Sequence, residues 1–383
     1  MAMSGDFLAS LLKVEAGLVR PVAGEDTVER YIHERYASDT QSWKRKLYYL
    51  AKPIIPRPVQ LALRRKYVGV QSAATFPAWP IEPILVNAAD QYLRETLTAS
   101  ARNSLYRIAL WPDKKNFAFA ITHDVEMDRG LRRAPALAAV EKRLGFLSSW
   151  NLVPERYPID WSIVEDLKSA GCEIGIHGLK HDGKLFQSRR TFVQRASRIN
   201  QYAKDWGAVG FRSPSTLRNI DWMPELQFQY DSSFPDTDPY EPQPGGCCSI
   251  WPFFIGNLVE LPLSMPQDHT LFEILGHRDL ALWGQKASWI EQNSGLVLIN
   301  VHPDYIDTDE RLALYEGFLR EMKEKRSMWH ARPREIAEWW REREASSLVL
   351  EGEKPTVRGP IARRATTIQT AIHDGRLTHD VCS

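Results

Sequence analysis

Short apolar runs in the middle of this chain end, one after another, on residues able to carry chemistry. FAFAIT (117–122) leads into His123, Asp124 and Glu126; CEIGI (172–176) into His177 and His181; GAVGF (207–211) into Arg212; FQY (228–230) into Asp231; and LVLINV (296–301) into His302 and Asp304. LVEL (258–261) is a further strand-like run. Helical patterns fill the intervals at 135–150, 161–170, 186–206, 219–226 and 280–292. Strands separated by helices of that length pair in parallel through right-handed crossovers. An open doubly wound sheet fits this alternation, but the polar residues at the strand ends favour a closed or nearly closed barrel. On the carboxyl face of such a barrel, groups remote in sequence converge.

The chain of 383 residues has room for this barrel and for appendages. The expected division is a helical N-terminal extension over residues 1–110, an α/β barrel over 111–345 and a C-terminal tail over 346–383. A charged turn, WPDKK (111–115), marks the entrance to the barrel, and a helix opening at Pro333 marks its end. The first residues, MAMSGDFLASLLKVEAGLVRPV, set Asp6, Lys13 and Glu15 among the leucines, which reads as an amphipathic helix rather than a signal peptide. With no 18-residue apolar window, and four cysteines that lack a paired framework, the expected compartment is the cytosol.

Lys and Arg number 49 against 48 Asp and Glu, so no global field selects nucleic acid, and none is expected as a partner. Charge is concentrated locally: Lys44, Arg45, Lys46, Lys52, Arg57, Arg64, Arg65 and Lys66 alternate with Trp43, Tyr48, Tyr49 and Tyr67. Such a stretch suits peripheral contact with an anionic membrane surface or a lipid-linked phosphate; the plainer reading is a solvated helical face.

HGLKH sets His177 and His181 four residues apart, which on a helical turn brings both imidazoles to one side. Two neutral imidazoles and a carboxylate are a common ligand set for a catalytic divalent ion, zinc first among them, with a position left for water. Asp124 and Glu126 are two apart, so in extended backbone both reach one cavity, while His123 points away and reads as structural. One carboxylate binds the ion and the other accepts a proton from water; the residues alone leave these roles interchangeable. Arg212 is suited to fix the base through a bidentate contact. His302, after a very apolar strand, is placed to protonate a leaving amine.

In this order THDVE (122–126), HGLKH (177–181), FRSP (211–214), YDSS (230–233) and LINVHP (298–303) resemble the motif series of the polysaccharide deacetylase family, also called the NodB homology domain. The resemblance covers roughly residues 112–330 and implies an irregular (β/α) barrel that uses a divalent metal to hydrolyse acyl groups on sugars. Carried over residue by residue, it implies Asp124 as catalytic base, His177 and His181 as metal ligands, Arg212 as positioner of the base and His302 as catalytic acid. The first motif departs from the adjacent aspartates common in the family; in an Asp-x-Glu version, which some relatives use, Glu126 is the metal carboxylate. The activity implied is metal-dependent removal of an N-linked acyl group, acetyl first, from a carbohydrate or sugar-containing precursor. Lacking the signal sequence of secreted members, the chain is expected to meet a soluble, nucleotide-linked or lipid-linked sugar rather than a cell-wall polymer. The alternatives are a hydrolase of the same fold acting on a non-sugar amide, and a catalytically silent glycan-binding descendant.

Overall fold

The sheet is built around β2 (Phe117–Val125), whose nine residues are all buried. A strand covered on both faces reads as a continuous apolar run, as this one does. On one side β2 pairs with β9 (Leu296–Val301); on the other it is shared, β10 (Met328–His330) taking Phe117–Phe119 and β3 (Ser148–Leu152) taking Ile121–Val125. The sheet continues from β3 through β4 (Glu173–His177), β5 (Gly210–Arg212), β6 (Tyr230–Asp231) and β8 (Leu258–Glu260), every pair parallel. Only β7 (Phe253–Ile255) runs antiparallel, at the far end. Beyond β8 a side chain makes the junction with β9: Ser264 Oγ donates to the Leu296 carbonyl and accepts from the Leu298 N–H at 3.0 Å. The fold is an irregular (β/α) barrel. The computed structural model describes residues 7–19, 25–36, 65, 68–69, 71–73 and 75–382, so the basic stretch from Lys44 to Lys66 lies outside the described residues except for Arg65.

The helix expected at 135–150 spans Asp128–Leu144 instead, with Pro135 inside it. Its apolar stripe, Leu131, Ala134, Leu137, Val140 and Leu144, is buried, and that packing outweighs the cost of an internal proline. Gly145, at φ +83°, ends the helix and frees Ser148–Leu152 to become β3. The helix expected at 219–226 is reduced to a single 3₁₀ turn, Met223–Glu225. The helices Trp161–Ser169, Arg189–Trp206, Ala281–Gln292 and Pro333–Glu344 stand close to where their patterns place them.

The N-terminal extension expected to be helical to residue 110 ends its helix Ile84–Ala99 early, and β1 (Ser104–Ile108) follows. β1 joins β13 (Thr367–His373) and β14 (Arg376–Val381) in an antiparallel sheet, beside the hairpin β11–β12 (Ser347–Glu351 and Lys354–Arg358). The C-terminal segment is therefore β-structure, although its sequence shows little periodicity. No helix among the described residues is long and apolar enough to cross a membrane.

Candidate active site

The strand ends do converge. β2 delivers Asp124 and, just beyond its end, Glu126; β4 ends on His177; β5 ends on Arg212; and His302 follows β9. His181 arrives through a loop rather than the helical turn expected. Gly178 (φ +63°) and His181 (φ +51°) both take left-handed backbone, and this folds the two imidazoles together with ring centroids 5.1 Å apart. Gly178 is required twice over, because a Cβ there would lie 2.5 Å from the Pro214 ring.

Glu126, His177 and His181 each turn one ligand atom inward, and these atoms lie within 4.8 Å of one another. His177 Nδ1 is 3.2 Å from the Arg212 carbonyl, so Nδ1 carries the hydrogen and the lone pair sits on Nε2. That Nε2 is buried and has no hydrogen-bond partner. His181 Nε2 stands 3.0 Å from Glu126 Oε1 without the alignment of a hydrogen bond. Buried nitrogen lone pairs beside a carboxylate fit a divalent cation, and two imidazoles plus one carboxylate fit zinc. Burial would raise the Glu126 pKa, but His181 above all, with His302 and His177, draws it well below the usual carboxylate value.

Asp124 is 2% exposed and is held by two amides. Asn151 donates to Oδ1 at 2.9 Å and Asn300 to Oδ2 at 2.8 Å. Arg212 brings Nη1 to 3.7 Å from Oδ2, beyond hydrogen-bond distance and not in the bidentate grip expected. Its Nη2 donates to Ser232 Oγ at 2.8 Å. Burial acts to raise the pKa of Asp124, but His177, Arg212, His302 and the Asn151 hydrogen bond together outweigh it and hold the carboxyl at about 2. The group is a carboxylate at every physiological pH.

His302 Nδ1 lies 2.6 Å from Asp268 Oδ1, and its backbone N–H donates to the other oxygen of Asp268 at 2.8 Å. Burial favours the neutral ring, but Asp268 first, then Glu126 and Asp124, raise its pKa to about 10. Its Nε2 is left facing Asp124 Oδ2 at 3.9 Å. Asp304 accepts the Glu126 N–H at 3.0 Å and packs where a Cβ on Gly130 would collide at 2.3 Å. His123 is structural: it is fully buried, bonded to Glu141 at 2.7 Å and stacked on Trp150. Sequence reasoning missed Asp268, Asn151 and Asn300. Only Asn300 had a signal, as the polar residue two before His302 in an otherwise apolar strand, on the same face.

No family model matches the chain, and no curated protein does. Solved structures do. A provisionally assigned polysaccharide deacetylase from Mycobacterium smegmatis is 21% identical with a TM-score of 0.50, over 60% of this chain and 92% of that one. The PuuE allantoinase and a provisionally assigned polysaccharide deacetylase from Pseudomonas aeruginosa PAO1 are each 15% identical with a TM-score of 0.46, over 61% of this chain and 93% of theirs. The chain has the NodB-type polysaccharide deacetylase fold. At these identities the likeness extends to the fold.

Proposed function

We propose that the chain is a metal-dependent hydrolase that removes an N-linked acyl group, acetyl first, from a carbohydrate or a sugar-containing precursor. The observation that carries this reading is one shared face holding a Glu126–His177–His181 donor set, an ionised Asp124 and a histidine kept protonated by Asp268. The motif order and the fold support sugar as the substrate class.

Glu126, His177 and His181 would hold a divalent ion, zinc by donor chemistry, whose Lewis acidity lowers the pKa of a bound water and polarises an acyl carbonyl. Asp124, with its lone pairs fixed by Asn151 and Asn300, accepts the proton of the attacking water. Arg212 steadies that carboxylate from one side. His302, charged and aimed by Asp268, donates its proton to the departing amine nitrogen. Asp304 fixes the backbone of Glu126 and so the direction of its carboxylate.

The test is acetate release by zinc-loaded protein from N-acetylated chitooligosaccharide, UDP-N-acetylglucosamine and a lipid-linked N-acetylamino sugar. His177→Ala and His181→Ala should each lose zinc and turnover together. Undiminished zinc in both variants would remove the metal site. Hydrolysis of a small non-sugar amide, with every sugar left intact, would reassign the substrate class.

A further inference from the structure

Asp231 follows a strand run as the site residues do, yet the proposed chemistry does not use it. It faces Glu260. The two are Cα partners on the parallel pair β6–β8, and both are 0% exposed. Asp231 Oδ1 accepts from Ser233 Oγ at 2.6 Å, and Glu260 Oε1 accepts the Phe234 N–H at 3.0 Å. Their remaining oxygens, Oδ2 and Oε2, are buried and meet no donor among the described residues. Two ionised carboxylates are acceptors only and repel each other in the interior; a single proton between them removes both difficulties. Arg212 acts on both carboxyls, and its Nε and Nη1 have no hydrogen-bond partner among the described residues.

We propose that Glu260 is protonated and donates to Asp231, and that this singly charged pair is the positioning anion for Arg212. With two charges the pair would draw the guanidinium away from Asp124. With none, Arg212 would turn wholly onto Asp124 and tie up the lone pair that the base needs. Burial, then repulsion from Asp231, pushes Glu260 well above the ordinary carboxylate range. Among the described residues Cys247 also faces Glu260, and burial keeps it a neutral thiol. The positioning role rests on Asp124 and Arg212 acting as proposed above; the sharing of the proton does not.

Infrared difference spectra and thermal denaturation of the full chain test the proton, and turnover tests its role. The wild-type minus Glu260→Gln spectrum near neutral pH should show the carbonyl stretch of a neutral carboxylic acid. Folded protein holds a proton that unfolded protein releases, so this pair makes stability fall as pH rises from the ordinary carboxylate range toward the raised value of the pair. Glu260→Gln, whose amide mimics the neutral acid, should flatten that fall. It should also recover the kcat that Glu260→Ala loses at unchanged KM on whichever sugar above releases acetate. No carboxylic acid band, parallel stability profiles, or failure of Glu260→Gln to fold would each overturn the shared proton. Equal turnover in Glu260→Ala and wild type would overturn only the positioning role. If no sugar releases acetate, the spectra and stability profiles still decide the shared proton.

Discussion

His302 can donate a proton only while it holds one, and Asp268 sets the pH at which it lets go. Its folded pKa, about 10, lies above the ordinary histidine value, so its stability contribution is complete below about pH 6.5 and is lost as pH rises through 10. The same shift places the alkaline limb of activity well above neutrality. In Asp268→Asn the charge that raises the ring is gone while burial, which lowers it, remains. The alkaline limb of kcat/KM should then move down by about two pH units or more, which halves activity near pH 8 at two units and cuts it about tenfold more for each further unit. A bound cation lowers both profiles, so their separation in a pH–rate series is the quantity to measure. Coincident limbs would show that His302 is not the proton donor. His302 was legible in the sequence because it follows a strand; Asp268 was not, because it opens a short helical segment that no strand run announces, and no spacing rule links position 268 to position 302.

At the scale of elements, the strand runs were legible wherever burial on both faces leaves an uninterrupted apolar string, as in β2 and β9. β3 was hidden because Ser148, Ser149 and Asn151 break its string, although all three are buried. Gly145 already carried the helix-stop signal ahead of it, and Pro135 drew the expected helix start away from Asp128. The turn after β4 shows what spacing alone misses: the interval from His177 to His181 was read as helical, yet two left-handed residues do the folding. Gly178→Ala tests that turn. An alanine must take positive φ and meet the Pro214 ring, so the loop holding His181 should shift away from β5. The expected result is zinc content after dialysis well below wild type, with a stability loss of about 1–3 kcal/mol by urea denaturation. Full zinc retention would show that the loop absorbs the methyl group without moving His181.

At the scale of the whole molecule, the segments that flank the barrel meet. β1 precedes the barrel and β13 follows it, and they pair over their full common length. Nothing local in the sequence announces a ladder between segments so far apart. Arg343, on the last barrel helix, ties the helix Phe7–Leu12 to β1: it is 1% exposed and its guanidinium donates to four carbonyls. Ser10 (3.0 Å) and Leu11 (2.7 Å) offer carbonyls near the end of the helix Phe7–Leu12, where carbonyls lack intrahelical donors, while Ile108 and Ala109 (3.1 Å each) lie where the chain leaves β1. Burial lowers its pKa to about 9, but it is still a cation at neutral pH, stacked on Trp340 with the guanidinium carbon 5.2 Å from the ring centroid. Arg343→Met keeps much of the volume and leaves those carbonyls without donors, which should cost about 3 kcal/mol in urea denaturation and expose the first helix to protease before the barrel unfolds. Arg343→Lys should recover only part, since an ammonium has fewer donors and no planar fork. The barrel's donor set lies elsewhere, so zinc content in both variants should match wild type below the unfolding transition. An unchanged urea midpoint in Arg343→Met would mean that water reaches those carbonyls and that Arg343 does not hold the helix Phe7–Leu12 to β1.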